Sequence, residues 1–354
     1  MILRPIIFGL LFSSSVMAAS YQVITDKLPL VDKIKGLSTE LYRQGRVHLV
    51  ELSDESFAGL STEERQFLRP LTLAQIQNEF SYASKRGSEH PMIPTLLSQL
   101  SSEKMRETVV QLGTYRSRYV GSEGNRQAVE WVIEQFKSFG LEVRSECFST
   151  WNGQACNAIA YKPGKTANKK YVVMGHIDTV GRAFAGADDN GSGVAGVLEL
   201  ARVLASQDTQ YGIEFVAVNA EEIGIVGSND YVNRQVALQK DEILAALTMD
   251  VIGYNTKNVF TIETYPEHEQ LAQDLAAYGR SYTSRQVMVS LHAWGSDHIP
   301  FLDQKIPATL TSQDWSNHNP CYHKACDTIE KDDFDYAKDL AVINLAYLTE
   351  KTVL

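Results

Sequence analysis

KYVVMGHIDTVGRAFAGADDNGSGVAGVLELARVLAS (residues 170–206) holds a strand, a polar turn and a helix in succession. The apolar run from Tyr171 to Met174 is short and β-branched, as expected of a strand buried on both faces. GVAGVLELARVLAS (193–206) has the spacing of an amphipathic helix. His176 and Asp178 stand where the strand ends, and alternate residues of a strand face the same side. His176 is thus placed to bind a metal while Asp178 orients it by accepting the other ring N–H. Between strand and helix, GADDNGSG (186–193) supplies glycines that allow close backbone approach, and one of Asp188 and Asp189 is expected to bridge two metals.

The same grammar repeats outward. IEFVAVNA (213–220) is a strand running into Glu221 and Glu222, and AALTMDVI (245–252) is a strand carrying Asp250. NVFTIET (258–264), RQVMVSL (285–291) and IPATLTS (306–312) read as further strands, and LEVRSECF (141–148) as another. Helices are expected over AVEWVIEQFKSFG (128–140), stopped by Gly140, over 267–280, and from Phe334 to the end. Alternation of this kind implies an α/β fold with a mixed, mostly parallel central sheet and helices on both faces. Ligands of such sheets gather beyond the carboxyl ends of strands, which is where these acids fall.

Adjacent side chains on a loop diverge, so one of Glu221 and Glu222 can bind metal while the other faces substrate. Glu222 is assigned to metal and Glu221 to proton transfer, since a neighbouring anion raises the proton affinity of the free carboxylate. Asp250 is the terminal carboxylate of one metal, and His323, in CYHKACDT (321–328), completes the other. Two imidazoles, several carboxylates and a Glu-Glu pair suit a hydrolase that binds two zinc ions and keeps one carboxylate as a base.

GHIDTV, GADDNGSG, NAEEIGIVGS, MDVIGY, GSDHIPF and YHKACDT follow one another in the order found in the bacterial leucyl aminopeptidase type of co-catalytic zinc exopeptidase, peptidase family M28, which residues 95–354 resemble. The resemblance selects Asp189 over Asp188. It implies one zinc held by Asp189, Glu222 and His323, and a second by His176, Asp189 and Asp250. Glu221 would be the general base and Asp178 the partner of His176. Ser296-Asp297-His298 would support the site without binding metal. Leucyl members carry a Tyr two positions before that segment; this chain has Trp294 there. A branch resembling glutamate carboxypeptidase has a Tyr just before the last His, where Tyr322 stands, so Tyr322 is expected to donate to the developing oxyanion. The implied reaction removes the N-terminal residue, a Leu-like one by default, from peptides with a free N-terminus. Apolar walls for it are sought between Trp294 and Phe301, and His292 and His318 are read as solvated or structural.

The chain has 354 residues and a formal charge of -10, which disfavours nucleic acid and anionic membranes as partners. MILRPIIFGLLFSSSVMAAS (1–20) reads as a bacterial signal peptide, with Arg4 ahead of an apolar run too short to span a bilayer and a cleavage pattern before Ala19. An exported, soluble monomer, secreted or periplasmic, is expected. Residues 19–90 read as a small α+β pro-segment, with a strand over VHLVEL (47–52) and a helix start in which Ser61 caps and Glu64 lies three residues on. SKRGSEHP (84–91) is polar enough to be the clipped joint, leaving 91–354 as catalytic domain. The four cysteines favour Cys147–Cys156 and Cys321–Cys326, since each pair closes a short loop.

Three other functions compete. Glutaminyl cyclase shares the fold with one zinc, but two histidines and an intact Glu-Glu pair favour two. A carboxypeptidase needs a cationic pocket, and no Arg-rich segment flanks the motifs. A silent binding module would lack ligands, and none is missing here.

Overall fold

The computed structural model describes residues 18–24, 33, 36–44, 47–65, 68–70, 80–82, 90–238, 241–293 and 295–354. Apart from Ala18, the expected leader lies outside them, as do Trp294 and most of the 84–91 joint. The chain divides into two compact units, Met1–Thr72 and Leu73–Leu354.

In the first unit, strands β1 (Ala18–Ile24), β2 (Ser38–Gln44), β3 (Val47–Ser53) and β4 (Leu68–Pro70) form an antiparallel sheet in the order β2-β3-β1-β4. Two short helices, α1 (Asp54–Ala58) and α2 (Thr62–Arg65), follow β3. Ser61 and Glu64 form the expected reciprocal cap: the Glu64 N–H donates to Ser61 Oγ at 3.1 Å and the Ser61 N–H to the Glu64 carboxylate at 2.7 Å. Tyr21, Val50, Leu52, Leu60 and Leu68 make a small core of their own.

The second unit is built on nine strands. They are β5 (Phe80–Tyr82), β6 (Glu142–Thr150), β7 (Gly153–Lys162), β8 (Thr166–His176), β9 (Tyr211–Val218), β10 (Glu242–Met249), β11 (Val259–Glu263), β12 (Gln286–Ser290) and β13 (Ala308–Gln313). Their order is β5-β12-β11-β13-β10-β8-β9-β7-β6. The central block β13-β10-β8-β9 is parallel throughout. Antiparallel pairing begins at β7 on one side and β11 on the other, so the sheet is mixed with its parallel part at the centre. β5 falls within the stretch expected to be pro-segment, yet it pairs with β12 in this unit.

The central strands read as continuous apolar runs because both of their faces are covered. Tyr171 and Val173 point into a large core on one face, Val172 and Met174 into a smaller one on the other. The large core is closed by α3 (Met92–Leu97), α4 (Ser102–Gly113), α5 (Glu123–Ser138) and α6 (Gly193–Leu204), together with two helices further along the chain. On the opposite face lies α7 (Val226–Leu238); α8 (Glu269–Tyr282) returns to the large core, α9 (Ile299–Asp303) to the small one, and α10 (Phe334–Thr352) to the large. α5 starts five residues earlier than its apolar spacing suggests, because Ser122 caps it through the Asn125 N–H; it ends where Gly140 takes φ 80°.

Both disulfides have the expected pairing. Cys147 and Cys156 face one another across the β6–β7 hairpin, and Cys321–Cys326 closes the loop around His323. Phe136 of α5 is fully buried in the large core. Phe136→Ala should lower unfolding free energy by about 3–5 kcal/mol, read as a shift of the denaturant midpoint; a shift of well under 1 kcal/mol would mean that α5 does not pack as described.

Candidate active site

The ends of the parallel strands place the acids. His176 is the last residue of β8; Glu221 and Glu222 follow β9 by three and four residues; Asp250 follows β10 directly. Asp189 sits in the turn ahead of α6. That turn is pulled against the end of β10 by Asn190, whose Nδ2 donates to Met249 O at 3.0 Å while its Oδ1 accepts from the Gly193 N–H at 2.9 Å. A side chain at Gly193 would meet Met249 O at 2.3 Å, so only glycine allows this approach. The peptide bond between Asp189 and Asn190 is cis.

Asp189 joins the two halves of the site. Its Oδ1 lies 3.2 Å from His176 Nε2, and its Oδ2 lies 3.0 Å from His323 Nε2. Asp250 Oδ1 is 3.3 Å from the same His176 nitrogen, and Glu222 Oε2 is 3.2 Å from the His323 nitrogen. Two triads result, His176–Asp189–Asp250 and Asp189–Glu222–His323, and both are compact enough to hold a metal ion. His176, Glu221 and Glu222 form a third compact grouping, with Glu221 Oε2 at 3.9 Å from His176 Nε2.

The donor set fits metal. His176 Nε2, Asp189 Oδ2 and Asp250 Oδ1 are buried and have no hydrogen-bond partner beyond the close contacts within these triads, a costly gathering of polar atoms unless a cation joins them. Imidazole and carboxylate donors in triads suit zinc.

Neighbouring groups fix these side chains. Ser296 Oγ donates to Asp250 Oδ2 at 2.8 Å, which leaves Oδ1 turned to His176. Asp178 does more than the expected orienting of His176. Its carboxylate lies 3.5 Å from His176 Nδ1, whose nearer contact is the Asp178 carbonyl at 3.2 Å. The two carboxylate oxygens accept the backbone N–H groups of Glu221 and Glu222, each at 3.1 Å. One acid therefore sets both the imidazole and the Glu-Glu loop. Behind Asp189, Asp327 accepts the N–H groups of Asp188 and Asp189 at 3.1 and 3.0 Å. Asp188, the alternative bridge, instead accepts from the Gly253 N–H at 2.8 Å and Asn319 Nδ2 at 2.9 Å.

Tyr322 stacks on His323, with ring centroids 3.8 Å apart, and packs edge-on against Trp315 and His318. This half-buried aromatic group borders the second triad. Ile299 and Phe301 are instead buried in the small core and do not serve as the expected apolar wall. His292 is buried rather than solvated. Asp327 was legible only as part of the CYHKACDT segment, with no role of its own.

Buried anions dominate the electrostatics. Burial opposes charge on His176, yet Asp250 and Glu221 outweigh it and raise its imidazole well above the usual range. Burial would raise Asp189 as well, but the two imidazoles, His323 foremost, hold it low. Burial and the charges of Asp188 and Asp189 push Asp327 up to about 8, and burial pushes Asp297, bonded to Ser228, up to about 7.

Residues 157–348 match the family described as peptidase family M28. The chain belongs to that family. Leupeptin-inactivating enzyme 1 of Streptomyces exfoliatus is 27% identical over 262 residues, which span 68% of this chain and 58% of that protein. A probable leucine aminopeptidase of Arthroderma benhamiae is 26% identical over 340 residues, 86% of this chain and 92% of the relative. Among solved structures, the Legionella pneumophila LapA aminopeptidase superposes with a TM-score of 0.71 at 19% identity, over 95% of this chain and 98% of that one. BSAP, a zinc aminopeptidase from Bacillus subtilis, gives 0.64 at 16% identity over 72% and 96%. Porphyromonas gingivalis glutaminyl cyclase gives 0.60 at 22% over 71% and 99%. These structural likenesses are likenesses of fold. Membership in M28 makes the chain a peptidase by family, and its relatives include proteins named leucine aminopeptidases.

The raised pKa of His176 has a measurable sign. In the metal-free protein Asp250 and Glu221 favour the protonated imidazole, and a proton held there must leave before the nitrogen can bind a metal. Zinc uptake is therefore expected to release protons, and apparent affinity to rise with pH. Calorimetry in two buffers of different ionisation enthalpy reads this directly; proton-neutral uptake would contradict the assignment of His176.

Proposed function

We propose that the protein is an exported aminopeptidase that removes a hydrophobic, Leu-like N-terminal residue from peptides with two zinc ions. The observation that carries this reading is the position of Asp189, which turns one oxygen to each of two imidazoles, each with its own further carboxylate. In this reading Asp189, Glu222 and His323 hold one zinc, and His176, Asp189 and Asp250 the other. When bound, the pair supplies Lewis-acid polarisation of the scissile carbonyl and lowers the pKa of water.

The remaining chemistry belongs to side chains. Glu221 is fully buried, and its loop is pinned through its own N–H to Asp178. Held there without being needed in either triad, it takes the proton of the attacking water and returns it to the leaving amine. Asp250 places negative charge where a substrate α-ammonium binds. Tyr322, oriented by stacking on His323, donates to the developing oxyanion. Trp315 and Tyr322 offer half-buried aromatic surface for an apolar first side chain, in keeping with relatives named leucine aminopeptidases.

Export is supported by two disulfides, a bond type of oxidising compartments. Among the described residues no helix is long and apolar enough to cross a membrane. Residues 19–90 are proposed as a removable pro-segment, cut near 84–91.

Glu221→Gln should lower kcat on a leucyl chromogenic amide by about 10²–10⁴-fold with zinc content unchanged, because the residue moves a proton and is not a ligand. Near-normal turnover would overturn the assignment. A wild-type protein with one zinc that cyclises N-terminal Gln and leaves leucyl amides intact would point to the glutaminyl cyclase reading instead.

A further inference from the structure

Arg118 is only 1% exposed and is the bulkiest fully buried side chain among the described residues. Its Nε donates to Ile177 O at 2.7 Å, Nη1 to Ala185 O at 2.6 Å and Leu112 O at 3.4 Å, and Nη2 to Gly186 O at 2.7 Å. Every acceptor is a neutral backbone carbonyl. Four of its five N–H donors are engaged, but among the described residues the charge has no direct anionic partner, an expensive arrangement unless fixed anions lie just beyond.

The carbonyls are well chosen. Ile177 lies between His176 and Asp178 at the end of β8, and Ala185 and Gly186 lead straight into Asp188 and Asp189. Gly186 has φ 59°, and a side chain there would meet Thr179 Cγ2 at 2.4 Å and Asp189 O at 2.6 Å, so the turn is built to bring its carbonyl to the guanidinium. One planar fork thus ties the strand carrying one imidazole to the turn carrying the shared carboxylate. Burial lowers Arg118 to about 10, opposed by Asp327, Asp178, Asp189 and Glu222 in that order, so it stays charged at neutral pH.

Taking the two-zinc reading as premise, we infer that Arg118 is a positioning residue and the resident counter-charge of the acidic pocket, holding the β8 end and the Asp188–Asp189 turn together before metal arrives. Carboxylates gathered in a buried pocket repel one another without cations. In the metal-free protein Arg118 opposes that repulsion; once zinc is bound, its charge matters less. A residue that merely capped carbonyls would matter equally in both states.

The test compares melting temperatures of the full chain, metal-free and zinc-saturated, for wild type, Arg118→Lys and Arg118→Met. Arg118→Met should destabilise the metal-free form more than the loaded form, widening the zinc-induced rise by about 5 °C or more. Arg118→Lys keeps the charge without the fork and should keep that rise within about 2 °C of wild type. Equal losses in both forms of Arg118→Met would overturn the inference. Recovery of folded Arg118→Met only when zinc is supplied would bear it out. Should neither form be recovered, Arg118→Lys decides: a zinc-induced rise that departs from the wild-type rise by about 5 °C or more sinks the idea. Zinc content of the wild type, read in the same series, tests the two-metal premise separately.

Discussion

The site depends on one carboxylate shared between two imidazoles. Asp189 can face His176 and His323 together only if its turn is held at a fixed height above the sheet. Asn190 draws that turn against the end of β10, Gly193 permits the close approach, and Asp327 secures the turn's N–H groups from behind. Displacement of Asp189 by an ångström would pull one oxygen away from its imidazole and leave the corresponding triad with two donors. Much of the polar bonding around the site serves to prevent this.

A second constraint is charge. A parallel sheet collects strand ends on one edge, and here three of those ends bring carboxylates to a space from which water is largely excluded. Such a concentration of anions is tolerable only with cations near. Two imidazoles and one guanidinium are native to the chain, and the metal-binding geometry implies more from outside.

The motifs of the candidate site were legible because most combine a short apolar strand with an abrupt polar end, a pattern that survives without knowledge of the fold. The Ser61–Glu64 cap and both disulfides were legible for a related reason: their partners lie within ten residues of one another. What escaped depends on partners far apart in sequence. Arg118 meets Ile177 and Gly186 across about sixty residues, and nothing around it marks it as different from a surface arginine. Asp178 could be read as a partner of His176, but its grip on the Glu221–Glu222 loop appears only once β8 and β9 lie side by side. Ile299 and Phe301 looked like pocket lining because they are apolar and near a motif; the short helix that carries them turns them inward instead. Apolar character alone does not say which cavity a side chain fills.

The loop bearing His323 is cinched by Cys321 and Cys326, a link that encloses the imidazole on both sides. Without that link the loop would rely on weak local bonds such as Tyr322 N–H to Asn319 O and Lys324 N–H to Cys321 O. Completion of the pocket is thereby tied to thiol oxidation. A chain with these two thiols reduced would carry its second imidazole on a slacker tether, so closing this small ring is a late step in shaping the pocket.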